Sequence, residues 1–303
     1  MTFAIVLGNT DQIIQVCDRR LTSNGAVVED SASKVGHALC DDGAFLYCFT
    51  GLARRGSHTT SRWLLEAFYQ AAQRDHTVRG IIEGFANQAA AYFQASQDLR
   101  QLSAQDRRLT VMASGYLTDH HIFNALITNF QDFDTYVDYP KAKPEFSYWS
   151  WKSDDTVSRN PTLIQAIGRF GALSEVDDVP RLRNMLERHA PAEALRNAAV
   201  ALIRNIADRP QAGGTVGKKL NIGILPRSDL DGPVSGYESD ELEKTMPMLD
   251  RVILRTDAPK ILISDPRIVA EDPIIYPKVH RNARCPCGSG KRYRECHMKR
   301  KRV

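Results

Sequence analysis

The sequence predicts an α+β fold, because strand-like and helix-like segments come in blocks instead of in strict alternation. Short apolar runs of strand length come first, two longer segments with apolar residues at helical spacing follow, and that order then repeats. A hydrophobic content of 43% in 303 residues allows a sizeable core, either as one large domain with an appendage or as two domains. Periodicity alone leaves the arrangement of the layers open.

Two hairpins are predicted within residues 1–50, where apolar runs flank turns rich in glycine, asparagine and aspartate. The predicted strands are Thr2–Leu7, Gln12–Cys17, Val35–Leu39 and Ala44–Phe49. Two helices are predicted next, at Ser57–Arg74 and Val78–Leu99, because large apolar residues recur there every three or four positions.

The rest of the first 226 residues repeats this order. The predicted strands are Leu109–Gly115, Ile122–Thr128, Leu163–Ile167 and Leu220–Leu225. Two helices are predicted before the last of these strands, one opening near Ser174 and one at Pro191, a residue that suits the first helical position. Between the second and third strands, Phe130–Pro161 is rich in aromatic residues and poor in aliphatic ones. This segment is predicted either as an extra, partly exposed hairpin or as a cleft wall or subunit contact.

Charge is distributed unevenly along the chain. The net charge of +4 conceals nine Lys and Arg residues in 281–303, which leave 31 basic and 35 acidic residues in the first 280. The sequence has no apolar run of about 18 residues and no apolar segment behind a charged N-terminus, so we expect a cytoplasmic protein without a membrane anchor. Cys17, Cys40 and Cys48 lie in apolar runs and are predicted to be buried thiols.

The N-terminal pair Met1-Thr2 offers a nucleophile and a base on one residue. If Met1 is removed, the Thr2 hydroxyl can attack a carbonyl while its α-amine, with a reference pKa of about 7.7–8.0, accepts the proton. Asp18 follows Thr2 by sixteen residues and Lys34 by thirty-two. A lysine beside the threonine would favour the alkoxide, and a carboxylate would hold that lysine in place. Alternatively, Asp18 is a strand-end turn residue and Lys34 a solvated surface charge.

These residues resemble the proteasome β-subunit family and its bacterial relative HslV, which are N-terminal-nucleophile hydrolases. In that family an Asp and a Lys follow the terminal Thr at the spacings seen here. The resemblance covers residues 2–226 and implies a four-layer αββα sandwich, a threonine nucleophile that cleaves peptide bonds, and assembly into a homo-oligomer. Gly51 matches the glycine whose amide stabilises the oxyanion, and Asp208 matches the acidic residue before the Gly-Gly turn.

The sequence departs from the family at two serines that surround the terminal amine. Arg169 stands in place of one, and Gln211 and Ala212 occupy the neighbourhood of the other. Two functional hypotheses therefore remain open: an active threonine hydrolase, favoured by Thr2 with Asp18 and Lys34, and a catalytically inactive scaffold or adaptor, favoured by the altered serines.

The C-terminal tail contains a set of metal ligands, namely Cys285, Cys287, Cys296 and His297. Three thiolates and an imidazole suit tetrahedral Zn²⁺, and the glycines in 288–290 let the chain turn back on itself. The tail closely resembles the C-terminal zinc-binding motif of the SecA translocation ATPase, the SEC-C motif, over residues 281–297. One structural zinc per chain is therefore predicted.

The resemblance of the tail also implies docking to a partner, such as the export chaperone SecB or the ribosome. Its basic charge favours an acidic protein or RNA, and an RNA-binding module is a third hypothesis for the chain. The predicted organisation is a hydrolase-like domain at 1–226, a connecting region at 227–280, and a zinc-binding tail at 281–303.

Overall fold

A computed structural model of the chain describes residues 3–23, 26–30, 32–132, 135, 137–153, 160–168, 178–238, 249–257, 260–262, 282 and 292. It divides into two compact units, Met1–Ser264 and Asp265–Val303. The described helices and strands all lie in the first unit.

The described part of the first unit contains eighteen strands. The first nine are β1 Phe3–Gly8, β2 Gln12–Asp18, β3 Leu21–Ser23, β4 Ala26–Glu29, β5 Val35–Leu39, β6 Gly43–Gly51, β7 Arg54–Arg55, β8 His58–Thr59 and β9 Leu109–Leu117. The others are β10 Ile122–Thr128, β11 Gln131–Asp132, β12 Val137–Asp138, β13 Ser147–Lys152, β14 Leu163–Gly168, β15 Leu220–Pro226, β16 Val234–Glu238, β17 Asp250–Ile253 and β18 Lys260–Leu262.

The helices fall into two groups along the chain. They are α1 Thr60–Ala72, α2 Val78–Ala95, α3 Gln97–Arg100, α4 Asp178–Glu187 and α5 Ala192–Ala207, followed by a short 3₁₀ turn at Pro210–Ala212. The Thr77 side chain accepts a hydrogen bond from the Gly80 backbone N–H and so caps α2.

Two large sheets organise these elements. The five-stranded sheet has the order β14-β1-β2-β15-β16 and is antiparallel throughout. The seven-stranded sheet has the order β13-β10-β9-β6-β5-β17-β18, in which only the pair of β5 and β17 is parallel among the described strands. Three small hairpins, β3-β4, β7-β8 and β11-β12, lie outside these sheets.

The central strands of each large sheet are buried on both faces. In β1, Phe3, Ile5 and Leu7 belong to the core beneath α4 and α5, whereas Ala4 and Val6 belong to the core between the two sheets. In β6 the odd-numbered aromatic residues 45, 47 and 49 pack toward α1 and α2, and residues 44, 46 and 48 pack toward the other sheet. Helices therefore cover the outer face of each sheet, which explains why these strands are almost continuously apolar.

Most predicted elements are present, with bounds shifted by a few residues. β5 and β10 have the predicted bounds, and Cys17, Cys40 and Cys48 are buried free thiols as predicted. Residues 227–280, predicted as a connecting region, contribute β16 to one sheet and β17 and β18 to the other. The aromatic segment forms the hairpin β11-β12 and then the edge strand β13, whose residues are largely exposed. No helix in the described ranges is long and apolar enough to cross a bilayer.

Two buried histidines make the fold sensitive to acid. Burial lowers the pKa of His58 to about 4 and that of His37 to about 3. Each has an unfolded pKa of about 6.5, so below that pH the unfolded chain binds more protons than the folded chain, and acid favours unfolding. For His58, lowering the pH from 7 to 5 is expected to cost about 2 kcal/mol of unfolding free energy.

Urea denaturation of wild type and His58→Gln at both pH values checks this prediction. The glutamine amide keeps a donor and an acceptor but does not titrate, so its stability should fall less between pH 7 and pH 5. An equal fall in the two proteins would contradict the assignment of His58 as a neutral buried group.

Candidate catalytic site at the first strand

Asp18 lies at the end of β2 and is fully buried against the start of β1. Its Oδ1 accepts a hydrogen bond from the Phe3 backbone N–H at 3.1 Å, and its Oδ2 accepts one from the Gly217 N–H at 2.9 Å. The Phe3 nitrogen is the first backbone nitrogen after Thr2 in the sequence. The carboxylate therefore binds the chain one peptide bond away from the predicted nucleophile.

Lys34 precedes β5 and is 1% exposed, so it is not a solvated surface charge. Its Nζ lies 3.5 Å from Asp18 Oδ1 and donates to the Arg20 carbonyl oxygen at 2.6 Å. Its backbone N–H donates to Asn221 Oδ1 at 3.4 Å. The structure thus brings Asp18 and Lys34 together as a buried ion pair that joins the two sheets.

Burial raises the pKa of the Asp18 carboxyl, because the charged form loses its hydration. The positive charge of Lys34 opposes this rise, and so do the hydrogen bonds from Gly217 and Phe3. The positive charge of Lys34 thus favours the charged form of the buried Asp18 carboxyl, which couples the two residues chemically as well as in space.

Arg20 lies next to this ion pair, and its side chain makes hydrogen bonds to two other segments. Its Nε and Nη2 donate to the two carboxylate oxygens of Asp30 at 2.8 and 2.9 Å, and its Nη1 donates to the Gly214 carbonyl oxygen at 2.8 Å. This two-pronged contact lowers the pKa of the Asp30 carboxyl. Arg20 therefore makes two links: its side chain binds the glycine turn after α5, and its backbone carbonyl oxygen accepts from Lys34.

Gly51 ends β6 at the same end of the sheet as Lys34. The register pairs Val35 with Cys48, so Lys34 precedes β5 at the end where β6 continues to Gly51. Gly51 is exposed and has φ of +98°, and a Cβ there would lie 2.1 Å from the Arg108 carbonyl oxygen. Only glycine fits this position. Because Gly51 is exposed, its backbone is accessible to a substrate.

Asp208 occupies a different environment. It follows α5, its side chain is 62% exposed, and its Oδ1 lies 2.6 Å from Lys218 Nζ. None of the hydrogen bonds recorded for the described residues joins it to Asp18 or Lys34. Ala212, which stands near the position of a family serine, is buried in the core beneath the helices.

Several predicted residues lie outside the described ranges. They are Thr2, Arg169 and the four metal-ligand candidates Cys285, Cys287, Cys296 and His297. Gly168, which directly precedes Arg169, pairs with Phe3 in the register of β1 and β14. The described part of β14 therefore ends beside the site.

Three residues of the site were not predicted from the sequence. Gly217, Asn221 and Asp30 contact the Asp18–Lys34–Arg20 group, yet each lies in an ordinary polar or glycine-bearing stretch. The repeated glycines at 213, 214 and 217 were the one available signal, since glycine allows close approach of backbone to a buried carboxylate.

Comparison with known proteins gives a motif match in the tail and structural likenesses that cover most of the chain. Residues 281–299 match the SEC-C motif, a motif type that binds zinc. This match includes the four metal-ligand candidates and agrees with the predicted resemblance of the tail.

The structure is similar to Anbu (ancestral beta-subunit) from Yersinia bercovieri, with a TM-score of 0.50 and 10% sequence identity over 79% of this chain and 87% of that chain. It is also similar to Anbu in a helical assembly of the complex from Pseudomonas aeruginosa, with a TM-score of 0.49 and 15% identity over 79% and 88% of the two chains. The likeness to the first supports the predicted proteasome-like architecture at the level of the fold alone.

Proposed function

We propose that this protein is a threonine-nucleophile amide hydrolase, with peptide bonds as its substrates. The observation that carries the proposal is the Asp18 carboxylate, whose Oδ1 accepts from Phe3 N–H and lies 3.5 Å from Lys34 Nζ. A buried lysine paired with a carboxylate at the first strand is what a terminal threonine needs to become a nucleophile.

In this proposal the Thr2 hydroxyl attacks the substrate carbonyl, and the Thr2 α-amine accepts its proton. The Lys34 ammonium stabilises the alkoxide that develops, while Asp18 and the Arg20 carbonyl oxygen fix the position of that ammonium. The Gly51 amide stabilises the oxyanion of the tetrahedral intermediate. This intermediate collapses as the C–N bond breaks, and the leaving amine takes the proton held by the Thr2 α-amine, which leaves an ester on Thr2. Water then attacks the ester, releases the carboxylic acid and regenerates Thr2.

A second candidate function is a catalytically inactive proteasome-like scaffold. The position of Asp208 favours it, because this carboxylate is exposed and paired with Lys218 instead of contacting the buried pair. The residues at the two family serines also favour the scaffold, namely Arg169 at one and Gln211 with Ala212 in the neighbourhood of the other.

Labelling of the N-terminus separates the two functions. Intact mass should show that Met1 is absent, and a peptide β-lactone or boronate should modify Thr2 in wild type but not in Thr2→Ala. The expected change is complete loss of the adduct, because the variant has no hydroxyl. Retention of Met1, or equal labelling of Thr2→Ala, would refute the hydrolase and leave the scaffold.

For the tail we propose a structural zinc held by Cys285, Cys287, Cys296 and His297. The donor set itself supports this proposal, because four protein ligands fill a tetrahedral site and leave no position for a reacting water. We further propose that the basic tail recruits an acidic protein partner or substrate to the first unit. We also propose that the first unit assembles into a homo-oligomer.

A further inference from the structure

The backbone directly after Gly51 is held at two points by hydrogen bonds. The Leu52 N–H donates to the Arg108 carbonyl oxygen at 2.8 Å, and the Leu52 carbonyl oxygen accepts from Thr60 Oγ1 at 2.7 Å. Thr60 is the first residue of α1 and is fully buried. The turn that follows Gly51 is therefore attached both to Arg108, the residue before the neighbouring strand β9, and to the helix that covers the sheet.

Two further hydrogen bonds continue from Thr60. His58 Nε2 lies 2.9 Å from Thr60 Oγ1, and His58 Nδ1 lies 3.0 Å from the Tyr92 hydroxyl oxygen. The three side chains and the Leu52 carbonyl form a continuous chain from α2, through the hairpin β7-β8, to the residue after Gly51.

The proton positions in this chain follow from one fact, namely that a carbonyl oxygen only accepts. Thr60 must give its single hydroxyl proton to Leu52, so Thr60 Oγ1 accepts from His58 Nε2–H. With its proton on Nε2, neutral His58 presents Nδ1 as an acceptor to the Tyr92 O–H. Each group then donates toward Leu52, and hydrogen bonds aligned in this way strengthen one another.

The inner part of this hydrogen-bond chain is buried. Thr60 is fully buried, and His58 is 3% exposed and lies among Trp63, Tyr92 and Phe93, with ring centroids 5.8, 5.6 and 6.3 Å from its own. Tyr92, at the outer end, is partly exposed. Water therefore does not compete for the hydrogen bonds that join His58, Thr60 and Leu52, and removing one of these leaves a buried polar group unpaired.

We propose that Tyr92, His58 and Thr60 are positioning residues that fix the Gly51–Leu52 backbone and thereby aim the Gly51 amide. Gly51 needs such support, because glycine at a φ of +98° is exposed and has no side chain to hold it. An oxyanion donor acts only if it is already oriented when charge develops. This inference rests on the proposed function, since it assigns the Gly51 amide to the oxyanion.

The first test compares two substitutions of one residue. Thr60→Val keeps the shape of threonine but removes the hydroxyl, whereas Thr60→Ser keeps the hydroxyl. For peptide hydrolysis, Thr60→Val should lower kcat about tenfold with KM unchanged, less than the roughly 10²–10³-fold cost of losing a whole oxyanion donor. Thr60→Ser should retain wild-type kcat, and Tyr92→Phe should lower kcat in the same way as Thr60→Val.

A matched control removes a hydroxyl from another tyrosine bound to the same helix. Tyr148 donates to Glu83 on α2 at 2.8 Å, so Tyr148→Phe loses a hydrogen bond to α2 without touching Leu52. Its kcat should equal that of wild type. A loss of kcat in Tyr148→Phe as large as in Tyr92→Phe would overturn the inference in favour of general weakening of α2.

The second test observes Gly51 directly and needs no turnover. Thr50-Gly51 is the only Thr-Gly pair in the sequence, so ¹³C′-threonine with ¹⁵N-glycine labelling gives one carbonyl–amide cross-peak for Gly51. This peak should shift and its amide should exchange faster in Thr60→Val, and both should stay as in wild type in Thr60→Ser and Tyr148→Phe.

The two tests separate failure of the inference from failure of the proposed function. A Gly51 cross-peak unchanged in Thr60→Val and Tyr92→Phe overturns the inference, whatever the activity. A Gly51 amide that moves while kcat stays constant also overturns it. Absence of Thr2 labelling in wild type instead refutes the hydrolase, and the Gly51 amide then still reports whether the chain positions it.

Discussion

Replacing Lys34 by methionine is expected to abolish labelling of Thr2 and to lower the free energy of unfolding by about 3–5 kcal/mol. Lys34 and Asp18 are 1% and 0% exposed, so the substitution leaves a buried carboxylate without its cation. The activity is lost because no other cation remains in the proposal to stabilise the Thr2 alkoxide. Labelling with a β-lactone measures the first effect and urea denaturation measures the second.

The pH dependence of the variant follows from the same pair. Burial raises the pKa of the Asp18 carboxyl, and loss of Lys34 raises this pKa further. A carboxyl whose folded pKa exceeds its unfolded value of about 3.9 becomes destabilising as the pH rises from that value through the folded pKa. The stability deficit of Lys34→Met should therefore be small near pH 4 and grow toward neutral pH.

Lys152→Met provides the matched control, because it removes the same ammonium from an ion pair at the surface. Lys152 Nζ lies 2.7 Å from Asp119 Oδ2, but the two side chains are 48% and 51% exposed. Such pairs contribute about 1 kcal/mol or less, so this variant should label normally and unfold almost as wild type does. Similar losses of stability in the two variants would contradict the buried pair as an organising feature.

Asp18 and Lys34 were predicted from spacing, but their burial was not. A lysine seen alone in a sequence is most often solvated, since burying an unpaired ammonium is costly. Only the approach of the β2 end to the start of β5 shows that the two charges compensate each other. The sequence thus indicates which residue types are present, whereas the tertiary fold determines whether they pair.

The remaining contacts of the site could not be predicted, because they join distant parts of the chain. Gly217 donates to Asp18 across 199 positions, and Asn221 accepts from Lys34 across 187. No local pattern selects these partners, which depend on how β15 lies beside β2. The carboxylate partner of Arg20, Asp30, lies beyond a hairpin whose geometry the sequence leaves open.

The fold was predictable where burial imposes a strong pattern. Strands that are buried on both faces have continuous apolar runs in their sequences, and these are β1, β2, β6 and β9. Short edge elements carry no such pattern. β17 has four residues and pairs in parallel with β5 across more than 200 positions, so its place in the sheet depends on tertiary packing and not on local propensity.

Removing zinc from the tail is expected to unfold residues 281–303 while the first unit stays folded. A segment of this size has no hydrophobic core, so in the proposal the metal supplies its folding free energy. Chelation should release one zinc per chain and abolish docking of an acidic partner. Because the thiolate ligands must lose protons to bind metal, zinc binding should release protons and weaken as the pH falls.

Cys296→Ser tests the ligand assignment, and Cys40→Ala is its matched control. Burial raises the pKa of the Cys40 thiol, which keeps it protonated and unsuited to metal binding. Metal analysis of protein purified under reducing conditions should therefore find zinc in wild type and Cys40→Ala but not in Cys296→Ser. Labelling of Thr2 should persist in Cys296→Ser, because the proposed zinc takes no part in that chemistry. Wild type without zinc would refute the metal site, and loss of Thr2 labelling in Cys296→Ser would mean that the tail acts at the catalytic site.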